Sequence, residues 1–109
     1  MVSDAHLDTQ WNWDIQTTIK DYVWNTISQN LFLLKQYPEY IFNFEGAVKY
    51  AWMKEYYPAQ YEEMKKFIES GRWHISGASW DATDTLVPSI ESAIRNIMLG
   101  QNYYRKEFG

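Results

Sequence analysis

His6 and Asp8 stand two apart in the run Ala5-His6-Leu7-Asp8-Thr9-Gln10-Trp11-Asn12-Trp13. Alternate side chains of an extended strand share a face, so this spacing can aim an imidazole and a carboxylate at one point. Zinc accepts both donor types, and takes three protein ligands in an open catalytic site and four in a closed structural one. His6 and Asp8 are therefore read as part of a metal site whose other ligands come from elsewhere. Trp11 and Trp13 follow at once, and an apolar ring with a polar N–H suits a flat, hydroxyl-rich ligand. The competing reading makes Asp8 a surface or helix-capping carboxylate, because His-x-Asp alone is a common pattern.

The elements that would position this pair are legible downstream. Val2 to Leu7 can form a short first strand, although Ser3 and Asp4 are poor strand formers. Ile15, Ile19, Tyr22, Val23, Ile27, Leu31 and Leu34 recur every three or four residues, predicting an amphipathic helix that Pro38 stops. Tyr40-Ile41-Phe42-Asn43-Phe44 predicts a second strand, buried on both faces and closed by Glu45-Gly46. Ala47 to Tyr57 is helix-forming. Pro58 then opens a further helix lined by Tyr61, Met64 and Ile68, which Ser70-Gly71 ends. Trp73 to Ala78 is a third strand candidate, followed by a loop from Ser79 to Pro88. Ser89 caps a last helix whose apolar positions are Ile90, Ile94, Ile97 and Met98.

Strands alternating with helices predict an α/β fold of parallel βα repeats with the helices outside the sheet. Ligands bind at the carboxyl ends of such strands. Here those ends carry His6 and Asp8, then Glu45, then Trp80, Asp81 and Asp84, so three strand ends converge on one rim. Three strands leave two open edges, which predicts either the opening segment of a larger (β/α) barrel or copies of the chain completing each other as a homo-oligomer.

Composition narrows the partners. At 109 residues the chain is at most one domain, and 46% hydrophobic with 22% charged residues is ordinary globular composition. A net charge of -4 with no Lys/Arg cluster argues against nucleic acid. Without cysteine, neither a disulfide nor a thiolate metal site is available. No apolar run approaches the about 20 residues that span a bilayer, so no membrane partner is expected. No signal-peptide pattern precedes the His-x-Asp stretch, and the compartment stays open. The start at Met1, immediately before that stretch, reads as a trimmed or partial chain. An aromatic share of 18%, with six Trp and nine Tyr, points to a large interior or a carbohydrate-type surface.

His6-Leu7-Asp8-Thr9-Gln10-Trp11-Asn12-Trp13 resembles the opening active-site motif of glycoside hydrolase family 38, the retaining α-mannosidases. Gly71-Arg72-Trp73, then Gly77, Trp80, Asp84, Pro88-Ser89, Glu91-Ser92 and Arg95-Asn96 resemble the family's next block. Gly100-Gln101, Tyr103-Tyr104 and Glu107-Phe108-Gly109 resemble the segment that follows. The likeness covers residues 1–109, which are read as a single N-terminal fragment of the catalytic domain.

The resemblance implies a catalytic zinc held by His6 and Asp8, an α-mannoside glycan as substrate, Trp11 packing under the mannose ring, and Trp80 and Asp84 in the sugar pocket. It places the remaining ligands, the nucleophile and the general acid downstream of Gly109. A covalent glycosyl-enzyme route needs both carboxylic groups, so this segment alone is expected to be inactive. Leu86, where the family often has a small polar residue, departs from the pattern.

Other readings stand beside these. His74 starts its strand on the far rim and is read as structural. Glu45 is either a rim carboxylate or a helix-start residue. Of Asp81 and Asp84, one contacts substrate while the other caps a turn. Trp52, Tyr56, Tyr57 and Tyr61 read as helix-to-barrel packing, and Arg95 as a partner of Glu91 four residues earlier. For the whole chain, the alternatives are a non-catalytic, self-associating scaffold fragment, a metal-free carbohydrate-binding module, and a metal-dependent deacetylase-like barrel.

Overall fold

The computed structural model describes residues 2–84 and 86–109; Met1, and Thr85 in the predicted loop from Ser79 to Pro88, lie outside the described residues. Three strands, β1 (Val2–Ala5), β2 (Ile41–Glu45) and β3 (Trp73–Ser76), form one parallel sheet in that order. The register pairs Ala5 with Phe44 and Phe44 with Ile75, so the three carboxyl ends lie side by side. Each strand hands its backbone groups to a neighbour of the same direction, and the helices that bridge successive strands supply the apolar cover.

The predicted first helix is one axis in three parts: α1 (Ile15–Thr17), a π-helical turn (Thr18–Val23) and α2 (Trp24–Gln36). Asp14 caps its start by accepting the Thr17 N–H at 2.8 Å. The π turn inserts an extra residue, and this explains why two members of the predicted apolar stripe miss the core. Ile15 and Tyr22 are exposed, while Ile19, Val23, Ile27, Leu31 and Leu34 are buried.

Phe42 and Phe44 of β2 are fully buried against the helical layer. The expectation that this strand is buried on both faces is corrected. Ile41, Asn43 and Glu45 alternate with the phenylalanines and are only half-buried, because among the described residues no helix covers the face they share. Helices α3 (Ala47–Tyr56) and α4 (Pro58–Glu69) bring Tyr50, Met53, Tyr61 and Met64 into the same core. Trp73 meets Phe42 edge-on at 4.7 Å, and its indole donates to the Tyr50 hydroxyl at 3.0 Å. Tyr50 in turn donates to the Phe44 carbonyl at 2.8 Å. Strand and helix are thus joined by polar groups that would be costly to bury alone.

Helix α5 (Ile90–Phe108) begins at Ser89, whose hydroxyl accepts the Ser92 N–H at 3.1 Å. Its second half docks: Tyr104 and Phe108 each lie 5.7 Å from the Tyr50 ring. Its first half is bonded to the sheet side through Asn96, which bonds the backbone of Trp80 and Asp81. Ile90, Ile94, Ile97 and Met98 keep helical spacing but are exposed, because among the described residues no helix or strand packs over them. Among the described residues, no helix is long and apolar enough to cross a membrane.

Candidate metal and sugar site

His6 and Asp8 continue directly from the end of β1, and the strand alternation brings their side chains together. His6 Nε2 lies 3.4 Å from Asp8 Oδ1. Two donors bound at about 2.0–2.1 Å to one tetrahedral zinc sit about 3.3–3.4 Å apart, so the donor types and their separation fit that ion. Glu45 ends β2, and because Ala5 pairs with Phe44, the next residue on each strand lies beside the other. The other imidazole nitrogen, His6 Nδ1, is 3.8 Å from Glu45 Oε1. Asp8 and Glu45 therefore flank opposite nitrogens of one ring rather than a common point. This agrees with the observation that, among the described residues, no three His, Asp or Glu side chains gather into a ligand set.

A cavity of about 490 Å³ opens beside this pair, lined by His6, Glu45, Gly77, Ser79, Thr83 and Ile97 among others. Its volume is of the order that a small ligand fills. Beneath the rim lies Lys49, only 2% exposed. Burial lowers its pKa, and the carboxylates of Asp81, Glu45 and Asp8 pull it back up. Its ammonium lies 5.5 Å from the centre of the Phe44 ring. The chain reaches this helix through Gly46, whose φ of +88° is open to glycine, and a Cβ there would crowd Lys49 Nζ at 3.3 Å.

The loop after β1 is tied down by hydroxyl groups. Thr9 donates to Asp81 Oδ1 at 2.5 Å, linking the ends of β1 and β3. Thr18 donates to the Thr9 carbonyl at 2.7 Å and accepts from Trp13 Nε1 at 2.8 Å. Asn96 of α5 brackets Asp81, accepting its N–H and donating to its carbonyl, both at 2.9 Å. These roles of Thr9, Thr18, Lys49 and Asn96 were not read from the sequence. A lysine in an otherwise apolar helix start, one turn after a strand end, was the one signal available.

The remaining candidates are spread around the rim. Trp11 is 70% exposed and free to meet a ligand. Trp80 is half-buried, its ring edge-on to Tyr103 at 5.7 Å. Asp84 is exposed and accepts the Leu86 N–H at 2.8 Å, closing a turn, while Asp81 accepts the N–H of its neighbour Ala82 at 2.8 Å. His74 is the second residue of β3 and pairs with Asn43 in the middle of the sheet, two residues short of the strand end where Glu45 lies, so it does not start the strand on a far rim. Arg95 donates to Glu91 at 2.6 Å on an exposed face.

The chain is 34% identical over 108 residues to Alpha-mannosidase G of Dictyostelium discoideum, covering 99% of this chain and 10% of that protein. It is 33% identical over 107 residues to Alpha-mannosidase 2C1 of Homo sapiens, covering 96% and 10%. With Alpha-mannosidase of Saccharomyces cerevisiae it shares 30% over 109 residues, covering 99% and 10%. The chain thus spans about a tenth of the length of the curated relatives it matches. The model of the glycosyl hydrolases family 38 N-terminal domain matches residues 1–109 of this chain, and the chain belongs to that family.

Proposed function

We propose that this chain is the opening segment of the (β/α) barrel of a zinc-dependent retaining α-mannosidase acting on α-mannosidic bonds in glycans. The carrying observation is the meeting of His6 Nε2 and Asp8 Oδ1 at 3.4 Å at the end of β1, in a chain of family 38. His6 and Asp8 would hold the zinc, which supplies Lewis-acid binding of sugar hydroxyls when present. Trp11 offers an exposed indole face to the sugar ring, and Trp80 and Asp84 would border the pocket. Thr9, Thr18 and Asp81 fix the loop between these groups, and Lys49 offsets the crowd of carboxylates. We assign the nucleophile and general acid to the remainder of such a protein, so the segment alone should not turn over mannosides.

The test uses the full-length protein. Hydrolysis of an aryl α-mannoside, lost on chelation and restored by zinc, is expected, with His6→Ala and Asp8→Asn losing both bound zinc and activity. Activity that survives chelation, or full zinc content in both variants, overturns the reading. A second reading rests on the exposed Ile90, Ile94, Ile97 and Met98 and the two open sheet edges, which favour self-association of the segment through that surface. Light scattering on the 109-residue chain separates them: a monomer excludes self-association.

A further inference from the structure

His6 has acidic groups at both ring nitrogens, and they have different uses. A neutral imidazole carries one proton, so coordination through Nε2 requires that proton on Nδ1. Nε2 faces Asp8 at 3.4 Å, and Nδ1 faces Glu45 Oε1 at 3.8 Å. The surroundings of Glu45 place its carboxylate at this corner of the rim. It is the last residue of β2, next to Ser76 in register, and the buried Lys49 lies within its field. Its other oxygen, Oε2, points toward Gly77, 3.9 Å from where a Cβ would stand. A carboxylate beside Nδ1 is the usual means of setting the tautomer and orientation of a metal-bound histidine.

We propose that Glu45 is the positioning residue of His6, accepting the Nδ1–H so that Nε2 is presented with Asp8 to the metal. This rests on the zinc reading above. The present 3.8 Å is longer than a hydrogen bond. His6 and Glu45 have side chains 71% and 44% exposed, so a small rotation closes the gap without disturbing the core.

The experiment measures zinc affinity of the full-length protein by chelator competition at one pH, for the unchanged protein, Glu45→Ala and Glu45→Gln. Nitrogen-15 spectra of the zinc-loaded proteins report which nitrogen of His6 carries the proton. Glu45→Ala is expected to weaken zinc binding about 10- to 100-fold and to loosen the preference for the Nδ1–H form. Glu45→Gln, whose amide oxygen still accepts, should recover most of the affinity and the tautomer. If Gln behaves like Ala, the effect is one of charge and the positioning role is overturned. If both variants bind as the unchanged protein does, only this inference falls. If the unchanged protein takes up no zinc, the zinc reading fails and this one with it.

Discussion

Thr18 holds Trp13 from within a π-helical turn, its buried hydroxyl accepting the indole N–H at 2.8 Å while donating to the Thr9 carbonyl at 2.7 Å. One hydroxyl thereby ties down both sides of the loop that carries Trp11 and follows Asp8. Single π turns within α-helices concentrate at functional sites, and here the turn places a side chain where a regular helix would not. Thr18→Val keeps the shape and removes both bonds, stranding a carbonyl and an indole N–H at a cost of about 1–3 kcal/mol. A lower urea midpoint and weaker zinc binding are expected, with Thr18→Ser restoring both. A folded Thr18→Val protein with unaltered zinc affinity would separate the loop's order from the proposed zinc binding by His6 and Asp8.

Gly100 lies in the middle of α5, where glycine is normally a poor choice. A Cβ there would stand 2.2 Å from the Ala78 carbonyl oxygen and 2.5 Å from the Trp80 nitrogen, both backbone atoms that cannot swing aside. The helix thus lies directly on the loop that carries Trp80 and Asp81, helped by the Trp80 N–H bond to the Asn96 carbonyl at 2.9 Å. Gly100→Ala is expected to cost about 3 kcal/mol through overpacking, and to move that loop. A denaturation midpoint within experimental error of the unchanged protein would refute the close approach.

What the sequence revealed and what it hid follow one division. The three strands, the helix after Pro58 and the Ser89 cap were legible because each rests on local chemistry: β-branched runs, fixed φ, a capping hydroxyl. That the carboxyl ends of β1, β2 and β3 lie side by side was legible through topology, since parallel strands bring those ends together. The π turn was not, because inserting one residue leaves the three-and-four spacing nearly intact while rotating Ile15 and Tyr22 outward. Nor were Thr9, Thr18 and Asn96, whose partners lie 72, 9 and 15 residues away in sequence. Lys49 is buried only because Phe44 and the carboxylates around it make room for an ammonium, an environment that no spacing describes.

Trp11 makes a clean separation of binding from folding. At 70% exposure it contributes little to the core, so Trp11→Ala should change stability by less than about 0.5 kcal/mol. If its ring packs under a sugar in the full-length protein, the same change should raise KM for an aryl α-mannoside about tenfold, the equivalent of about 1.4 kcal/mol of lost contact. Unchanged KM would remove Trp11 from the pocket.

Glu107 joins three helices at the base of α5. Lys54 of α3 donates to its two oxygens at 2.7 and 2.9 Å, and Tyr61 of α4 donates at 2.9 Å, with the Glu107 side chain only 9% exposed. The Lys54 hydrogen bond holds the Glu107 carboxyl below its ordinary pKa; burial opposes that shift and the Tyr61 hydroxyl reinforces it. A carboxylate with a depressed folded pKa binds fewer protons than the unfolded chain does. Its stabilisation is therefore complete above the ordinary glutamate range and is lost as pH falls, from about pH 5 downward. Glu107→Gln removes the charge and should lower stability at pH 7 by about 1–3 kcal/mol, with the difference from the unchanged protein shrinking on acidification. Urea midpoints of the two proteins at pH 7 and pH 4 test this. A gap that stays constant between those pH values would mean that the ionised form of Glu107 is not what binds α3 and α4 to α5.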